Sequence, residues 1–115
     1  MNITFRSRDF SKVEEYLMTI SKDALSVKDL EDGTHITVAG YLEYEDTNSK
    51  GEDVKILSII TPEKVVYSTQ SQTFKDSVKS MVELMGAEQF TIIKKSGTTK
   101  AGRPYVDCSL DIQSI

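Results

Sequence analysis

The sequence predicts a mainly β fold that also contains helices, with the strands closing into one β-barrel. Three observations lead to this prediction. Apolar and polar residues alternate over five short segments, which is typical of half-buried strands. Two other segments repeat apolar residues at helical spacing instead. The chain has 115 residues, enough for one ordinary domain and too few for two, so we expect a single domain over residues 1–115.

The N-terminal residues 1–22 predict a helical extension to that domain. The helix should run from about Asp9 to Ile20, because Ser11 and Glu14 have the spacing of a capping box. Its apolar residues repeat at i, i+4 and i+7, which is the pattern of an amphipathic helix: Val13, Leu17 and Ile20, with Phe10 and Tyr16 on or near the same stripe.

Three strands are predicted next, after a short edge segment at residues 24–33. Residues 34–46 alternate as one long strand, in which Gly40 predicts a bulge or a sharp bend. Residues 54–61 and 65–69 form the second and third strands, and the tight turn between them predicts a hairpin. Alternation assigns Tyr41 to the non-core side of the long strand and Tyr44 to the core side.

The period changes to helical between Ser71 and Met85, and Gly86 provides a stop. Residues 89–95 and 103–112 are the fourth and fifth strands. In the fifth strand, Arg103 and Tyr105 share one face. The opposite face should lie in the core and carries Val106, Cys108, Leu110 and Ile112.

After the first helix the chain therefore has three strands, a helix and two further strands. An antiparallel sheet that coils at glycine bends and has a helix between its third and fourth strands follows the order of the OB-fold, a small barrel. We expect an OB-fold-like five-stranded antiparallel barrel with an extra N-terminal helix. Other α+β arrangements share the same order of elements.

The composition argues against an enzyme. The lone His35 has no nucleophile or carboxylate that the sequence places beside it, and Cys108 falls on an apolar alternation. One His and one Cys do not make a Cys/His metal site. We expect no catalytic residue, no metal and no cofactor. The single cysteine and the lack of a long apolar run predict a cytoplasmic protein without a membrane partner.

The segment from Phe90 to Val106 holds four cationic residues and no Asp or Glu. Four positive charges on a net charge of −4 leave −8 for the rest of the chain. Such a concentration predicts an anionic ligand, and tyrosines beside it predict stacking of unpaired bases on a nucleic acid. The candidate binding residues are Tyr41, Tyr44, Lys94, Lys95, Lys100, Arg103 and Tyr105.

Three segments also carry a family resemblance: EDGTHITVAGYLEYED, VVYSTQSQTF with the helix after it, and FTIIKKSGTTKAGRPYVDCSL. They include the strand start Asp32-Gly33-Thr34 and the hairpin Gly97-Thr98-Thr99-Lys100-Ala101-Gly102, which is followed by the aromatic Tyr105. Together they resemble the single-stranded-DNA-binding proteins of small protein-primed phages and of related mobile elements of Gram-positive bacteria. The resemblance spans about residues 30–112 and does not include the N-terminal helix.

The resemblance implies sequence-independent binding of displaced single strands during phage or mobile-element DNA replication, in the bacterial host cytoplasm and without catalysis. RNA is not excluded as a ligand, because the 2′-hydroxyl contact that distinguishes it cannot be read from a sequence. The alternative is a small interaction module, an adaptor or inhibitor whose acidic surface faces a host protein. Self-association through edge strands or the N-terminal helix, and contacts with replication proteins, remain open.

Overall fold

The computed structural model describes residues 1–86 and 88–113. Its elements, in chain order, are β1 (Asn2–Arg6), α1 (Lys12–Thr19), β2 (Leu25–Ser26), a one-turn 3-10 helix (Val27–Asp29), β3 (His35–Val38), β4 (Gly40–Thr47), β5 (Asp53–Ile60), β6 (Val66–Thr69), α2 (Gln72–Met85), β7 (Phe90–Thr98) and β8 (Pro104–Leu110). Neither α1 nor α2, within these described ranges, is long and apolar enough to cross a membrane.

The strands form two open sheets. One has five strands in the order β1-β4-β5-β6-β2, and the other has three in the order β3-β7-β8. Neighbouring strands are antiparallel except β2 and β6, which are parallel. The protein is thus mainly β with two α-helices, as the sequence predicts. Within the described residues no strand pairing joins the two sheets.

The predicted long strand is divided at Ala39, where the chain leaves one sheet and enters the other. β3 pairs with β7 before this point, and β4 pairs with β1 and β5 after it. The ring of Phe10 packs directly over Gly40, where a Cβ would overlap it. Arg8 Nε donates to the Ala39 carbonyl at 2.9 Å. The predicted bend is therefore confirmed, and a segment from the N-terminal region holds it.

Two clusters of buried side chains lie on opposite faces of the five-stranded sheet. The main core joins this sheet to the three-stranded sheet and to α2. It includes Ile36, Tyr41, Leu57, Ile59, Phe74, Val78, Ile92 and Cys108. The second core lies under α1 and contains Met18, Leu42, Tyr44, Ile60 and Val66.

The N-terminal residues do more than extend the fold by a helix, which is what the sequence predicted. β1 pairs with β4 at one edge of the five-stranded sheet, and β2 pairs with β6 at the other. The predicted capping box of α1 is confirmed. Glu14 N–H donates to Ser11 Oγ at 3.1 Å, and Ser11 N–H donates to a Glu14 carboxylate oxygen at 3.0 Å.

The orientation of α1 differs from that of an ordinary amphipathic helix. Such a helix buries its apolar stripe, yet Val13, Tyr16 and Ile20 are exposed. The buried residues of α1 are Glu14 and Met18. The reason lies in the charged network around Glu14. Arg8 and Lys64 both bind its carboxylate, at 2.8 and 3.3 Å, and so turn that side of the helix inward.

Candidate nucleic-acid interface

A groove of about 780 Å³ lies between the end of β6 and the β7–β8 hairpin. β6 contributes Ser68 and Thr69, and the hairpin contributes residues of both of its strands. The start of α2 borders the groove at Ser71. There the hydroxyl accepts from Phe74 N–H as the helix cap and donates to the Val106 carbonyl at 3.0 Å. The groove therefore occupies the seam where the two sheets are not paired.

Tyr105 borders this groove and is 38% exposed. It lies opposite Gly97 in the hairpin ladder. A Cβ on Gly97 would lie 2.5 Å from the Tyr105 hydroxyl oxygen, so the ring rests across the glycine. The absence of a side chain at this position lets the ring lie against the strand. The sequence correctly assigned Tyr105 to the face opposite buried Cys108.

Lys95, Lys100 and Arg103 are exposed, as a phosphate-binding role requires. Lys100 and Arg103 lie in the turn between β7 and β8, where Thr99 N–H donates to the Arg103 carbonyl at 2.8 Å. In the described part of the chain, none of the three forms a salt bridge. Asp107 lies opposite Lys95, but its carboxylate accepts the Ser77 hydroxyl at 2.6 Å.

Lys94 is a correction to the predicted site, because its side chain is only 4% exposed. Its ammonium group donates to the Leu30 carbonyl at 2.7 Å and to Asp32 Oδ1 at 3.0 Å. The cause is strand parity, since Lys94 shares the inward face of β7 with Ile92 and lies opposite buried Cys108. The Lys94 ammonium is therefore held by Leu30 and Asp32 within the protein, although its side chain lines the groove.

The contacts of Lys94 give the Asp32-Gly33-Thr34 segment a structural role. Hydrogen bonds from Ser96, and next from Lys94, lower the pKa of Asp32. Gly33 N–H donates to the Lys94 carbonyl at 2.8 Å from a backbone with φ of 91°. Few residues other than glycine adopt that φ without strain. This segment therefore holds the start of β3 against β7.

Tyr41 is the second correction, because the sequence placed it on the non-core side and it is fully buried in the main core. The bend before Gly40 changes which residues face inward, so alternation counted from β3 fails in β4. Its ring meets Phe5 edge to face, with centroids 5.5 Å apart. Base stacking on Tyr41 is incompatible with this packing.

The hydroxyl of Tyr41 is buried and has no hydrogen-bond partner with acceptable geometry among the described residues. Burial raises the pKa of Tyr41, and the nearby carboxylate of Glu43 raises it further. An unsatisfied buried hydroxyl costs free energy. Tyr41 thus supports the core through its ring rather than its hydroxyl.

Tyr44 lies on the core side, as alternation indicated, and is 6% exposed. Burial raises its pKa, and its hydroxyl donates to the Thr19 carbonyl at 3.3 Å at the end of α1. It forms part of the groove floor with Ile56, its cross-strand neighbour. Tyr44 offers a ligand an edge of apolar surface rather than an open ring face.

Of the thirteen residues that line the groove, only Tyr44, Lys94 and Tyr105 were predicted from the sequence, and the ten others include Lys28, Ser68 and Gln70. Lys28 lies in the 3-10 turn after β2 and is exposed. No motif marks it, because its position depends on the parallel pairing of β2 with β6. Lys28 adds a positive charge on the side of the groove away from the hairpin.

Neither of the residues considered for catalysis lines this groove. Cys108 is buried in the main core, and burial together with Asp107 raises its pKa to about 12. His35 Nε2 lies 3.5 Å from Asp111 Oδ2 on a different part of the three-stranded sheet. No cluster of three or more His, Cys, Asp or Glu side chains able to hold a metal ion occurs in residues 1–86 and 88–113.

Comparison with known proteins adds no identification: no family model, no curated protein and no solved structure matches this chain.

Proposed function

We propose that this chain binds single-stranded DNA, without reading its sequence, in the groove beside the β7–β8 hairpin. The observation that carries the proposal is the β7–β8 hairpin, which combines the exposed Tyr105 at the groove with three exposed cations that form no salt bridge to any described residue. Tyr105 provides a ring face for an unstacked base, and Lys95, Lys100 and Arg103 provide contacts to phosphates. Stacking on a protein aromatic contributes about 1–3 kcal/mol per base.

The arrangement of the long strands supports the proposal. One bent segment contributes β3 to one sheet and β4 to the other, and α2 follows β6 and precedes β7. We interpret this as an open variant of the OB-fold, whose loops and exposed strand faces commonly bind oligonucleotides. A closed barrel would pair β6 with β8; here β2 is paired with that edge of β6, and the proposed groove lies between this edge and the β7–β8 hairpin.

The size and lining of the groove also agree with a nucleic-acid strand. Its volume of about 780 Å³ lies in the range of sites that hold ligands several rings in size. Hydroxyl and amide groups at Ser68, Ser71 and Gln70 give it hydrogen-bonding capacity without negative charge. With the resemblance of the sequence, these features favour a non-enzymatic role in phage or mobile-element DNA replication in a bacterial cytoplasm.

The test is titration of fluorescent dT, rU and duplex oligomers with the full chain at two salt concentrations. We expect binding to dT, little binding to duplex, and a steep loss of affinity in salt. Substituting Lys95, Lys100 and Arg103 together by Ala should weaken binding and reduce the salt slope by about 2. Binding to rU but not dT would assign RNA as the ligand and contradict the proposal.

The matched control replaces Lys22, Lys50 and Lys79 together by Ala. These residues lie outside the β7–β8 hairpin and do not line the groove, and the net charge changes by the same amount. An equal loss of affinity in this variant would show that total charge, rather than the hairpin, governs binding.

A second candidate function is the interaction module. The observation in its favour is the exposed apolar surface of α1. It predicts no oligonucleotide affinity even at low ionic strength, whereas the first proposal predicts its strongest binding there.

A further inference from the structure

The outer surface of α1 is apolar and exposed, which is unusual for a helix that already packs on a sheet. Val13 is 67% exposed and Ile20 is 64% exposed, and Tyr16 between them is also exposed. With the half-buried Leu17 they form the α1 stripe: Val13, Tyr16, Leu17 and Ile20. Contiguous apolar surface of this kind marks an interaction site more often than a solvated face.

We propose that the α1 stripe is a twofold interface through which two copies of this chain associate. The spacing of the stripe permits a twofold contact: its steps of three, one and three residues, the usual period of a helical stripe, read the same in both directions. Two antiparallel α1 helices would therefore place Val13 opposite Ile20 of the second copy. Tyr16 would lie opposite Leu17 of the second copy. A twofold contact requires such a match of one surface with itself.

A shallow groove of about 210 Å³ adjoins the stripe and widens the apolar area. It is lined by Leu17 and Ala24 on one side and by Val65 and Val66 on the other. Leu25, 48% exposed, lies at its edge. Tyr16 of the second copy, which would lie opposite Leu17, therefore has a depression to enter.

The charges around the stripe favour the antiparallel arrangement. The N-terminal end of α1 carries exposed Lys12, and Asp23 follows the C-terminal end. The last turn of α1 contains no basic residue of its own. In an antiparallel pair each Lys12 approaches Asp23 and the negative end of the helix dipole of the other copy.

Repulsion does not oppose this contact, although the chain as a whole is acidic. Besides the Arg8–Glu14 pair, the exposed and partly exposed charged residues on and near α1 are balanced in sign: Arg6, Lys12, Lys22 and Lys64 against Asp9, Glu15, Asp23 and Glu63. This balance contrasts with the net charge of −4 of the full chain. An acidic or basic partner protein would find no net charge here, whereas an identical surface would find opposite charges at each end.

The experiment is sedimentation equilibrium of the full chain at concentrations from roughly 1 to 200 µM. We expect a monomer–dimer equilibrium. Replacing Val13→Glu and Ile20→Glu together places like charges opposite each other and should raise the dissociation constant at least about 100-fold. Replacing Val13→Lys and Ile20→Glu together places opposite charges at the same two contacts and should retain the dimer.

The control is Leu84→Glu on α2, a residue that is 80% exposed and lies outside the stripe. It should leave the dissociation constant unchanged. Circular dichroism spectra would establish that each variant is folded. A native chain that stays monomeric over the whole range would overturn the proposal. So would equal behaviour of the two double variants, since only paired helices distinguish them. The proposal does not depend on DNA binding, and an oligonucleotide titration of each variant reports on that function separately.

Discussion

Two glycines in this protein lie beneath aromatic rings, and the two contacts differ in what surrounds them. Gly40, at the bend between β3 and β4, is covered by Phe10, and the Arg8 guanidinium lies over that ring, 4.5 Å from its centroid. Gly97, in the hairpin, is covered by Tyr105, which borders the groove and remains 38% exposed.

The same contact, an aromatic ring over a glycine, thus stabilises the bend in one place and leaves the ring exposed to solvent in the other. At the bend, Phe10 packs against the second core, and Arg8 also donates to Ala39, so the ring has little freedom. At the hairpin, the Tyr105 ring lies against Gly97 and keeps more than a third of its surface exposed. Of the two rings, the hairpin ring is therefore the more accessible to solvent.

The largest expected contrast in stability is between Tyr41 of β4 and Tyr105 of β8. Tyr41→Ala should lower the free energy of unfolding by about 3–5 kcal/mol, because it empties a fully buried site in the main core. Tyr105→Ala should lower it by less than about 1 kcal/mol and weaken dT binding roughly tenfold. Urea unfolding and fluorescence titration of both variants measure the two effects. Equal stability losses would remove the distinction between the regions.

The two glycines give the next contrast. Gly40→Ala should lower the free energy of unfolding by about 2–3 kcal/mol, because the new methyl group overlaps the Phe10 ring and lies 3.1 Å from Ile60 Cγ2. Gly97→Ala should lower the free energy of unfolding by less than about 1 kcal/mol, since the overlapping atoms are the hydroxyl end of the exposed Tyr105 ring. Thermal unfolding of both variants checks this. A large loss in Gly97→Ala would show that the hairpin ring is as fixed as Phe10.

Much of the fold could be predicted from period and spacing, because those signals depend on neighbouring residues. The two helices, the bend at Gly40 and the β7–β8 hairpin were found in this way. β1 was not, because Asn2–Arg6 is short and becomes a strand only through its pairing with β4. The orientation of α1 was missed for a similar reason, since it depends on Arg8 and Lys64 binding Glu14 across the fold.

The candidate site was predictable only in its hairpin. Tyr105, Lys95, Lys100 and Arg103 lie in a hairpin closed by its own register, so alternation and charge counting identified their exposure. Tyr41 lies just after a bend that alternation cannot cross, and Lys94 has partners that are more than 60 residues away. Lys28 depends on a parallel pairing between β2 and β6 that no local pattern reveals.

The smallest expected effect concerns the charged support of the bend. A hydrogen bond from Arg8, helped by Ser11 N–H and by Lys64, lowers the pKa of Glu14 from 4.5 to about 2. A carboxyl group whose pKa is lower in the folded state stabilises the protein above its unfolded pKa. That contribution is lost as the pH falls from about 4.5 toward 2. We expect this contribution to the free energy of unfolding to be about 1–2 kcal/mol, because Arg8 and Lys64 are partly exposed and solvent screens their charges.

Glu14→Gln should therefore be less stable than the native chain at neutral pH and should show a shallower loss of stability between about pH 5 and pH 2. The control is Glu15→Gln, which removes only the more exposed ion pair with Arg6. In urea unfolding measured across this pH range, Glu15→Gln should lose stability with falling pH as steeply as the native chain does. If the free energy of unfolding fell in parallel with pH for the native chain and for Glu14→Gln, the Arg8–Glu14 pair would not hold the bend. Phe10 packing alone would then distinguish this region from the hairpin.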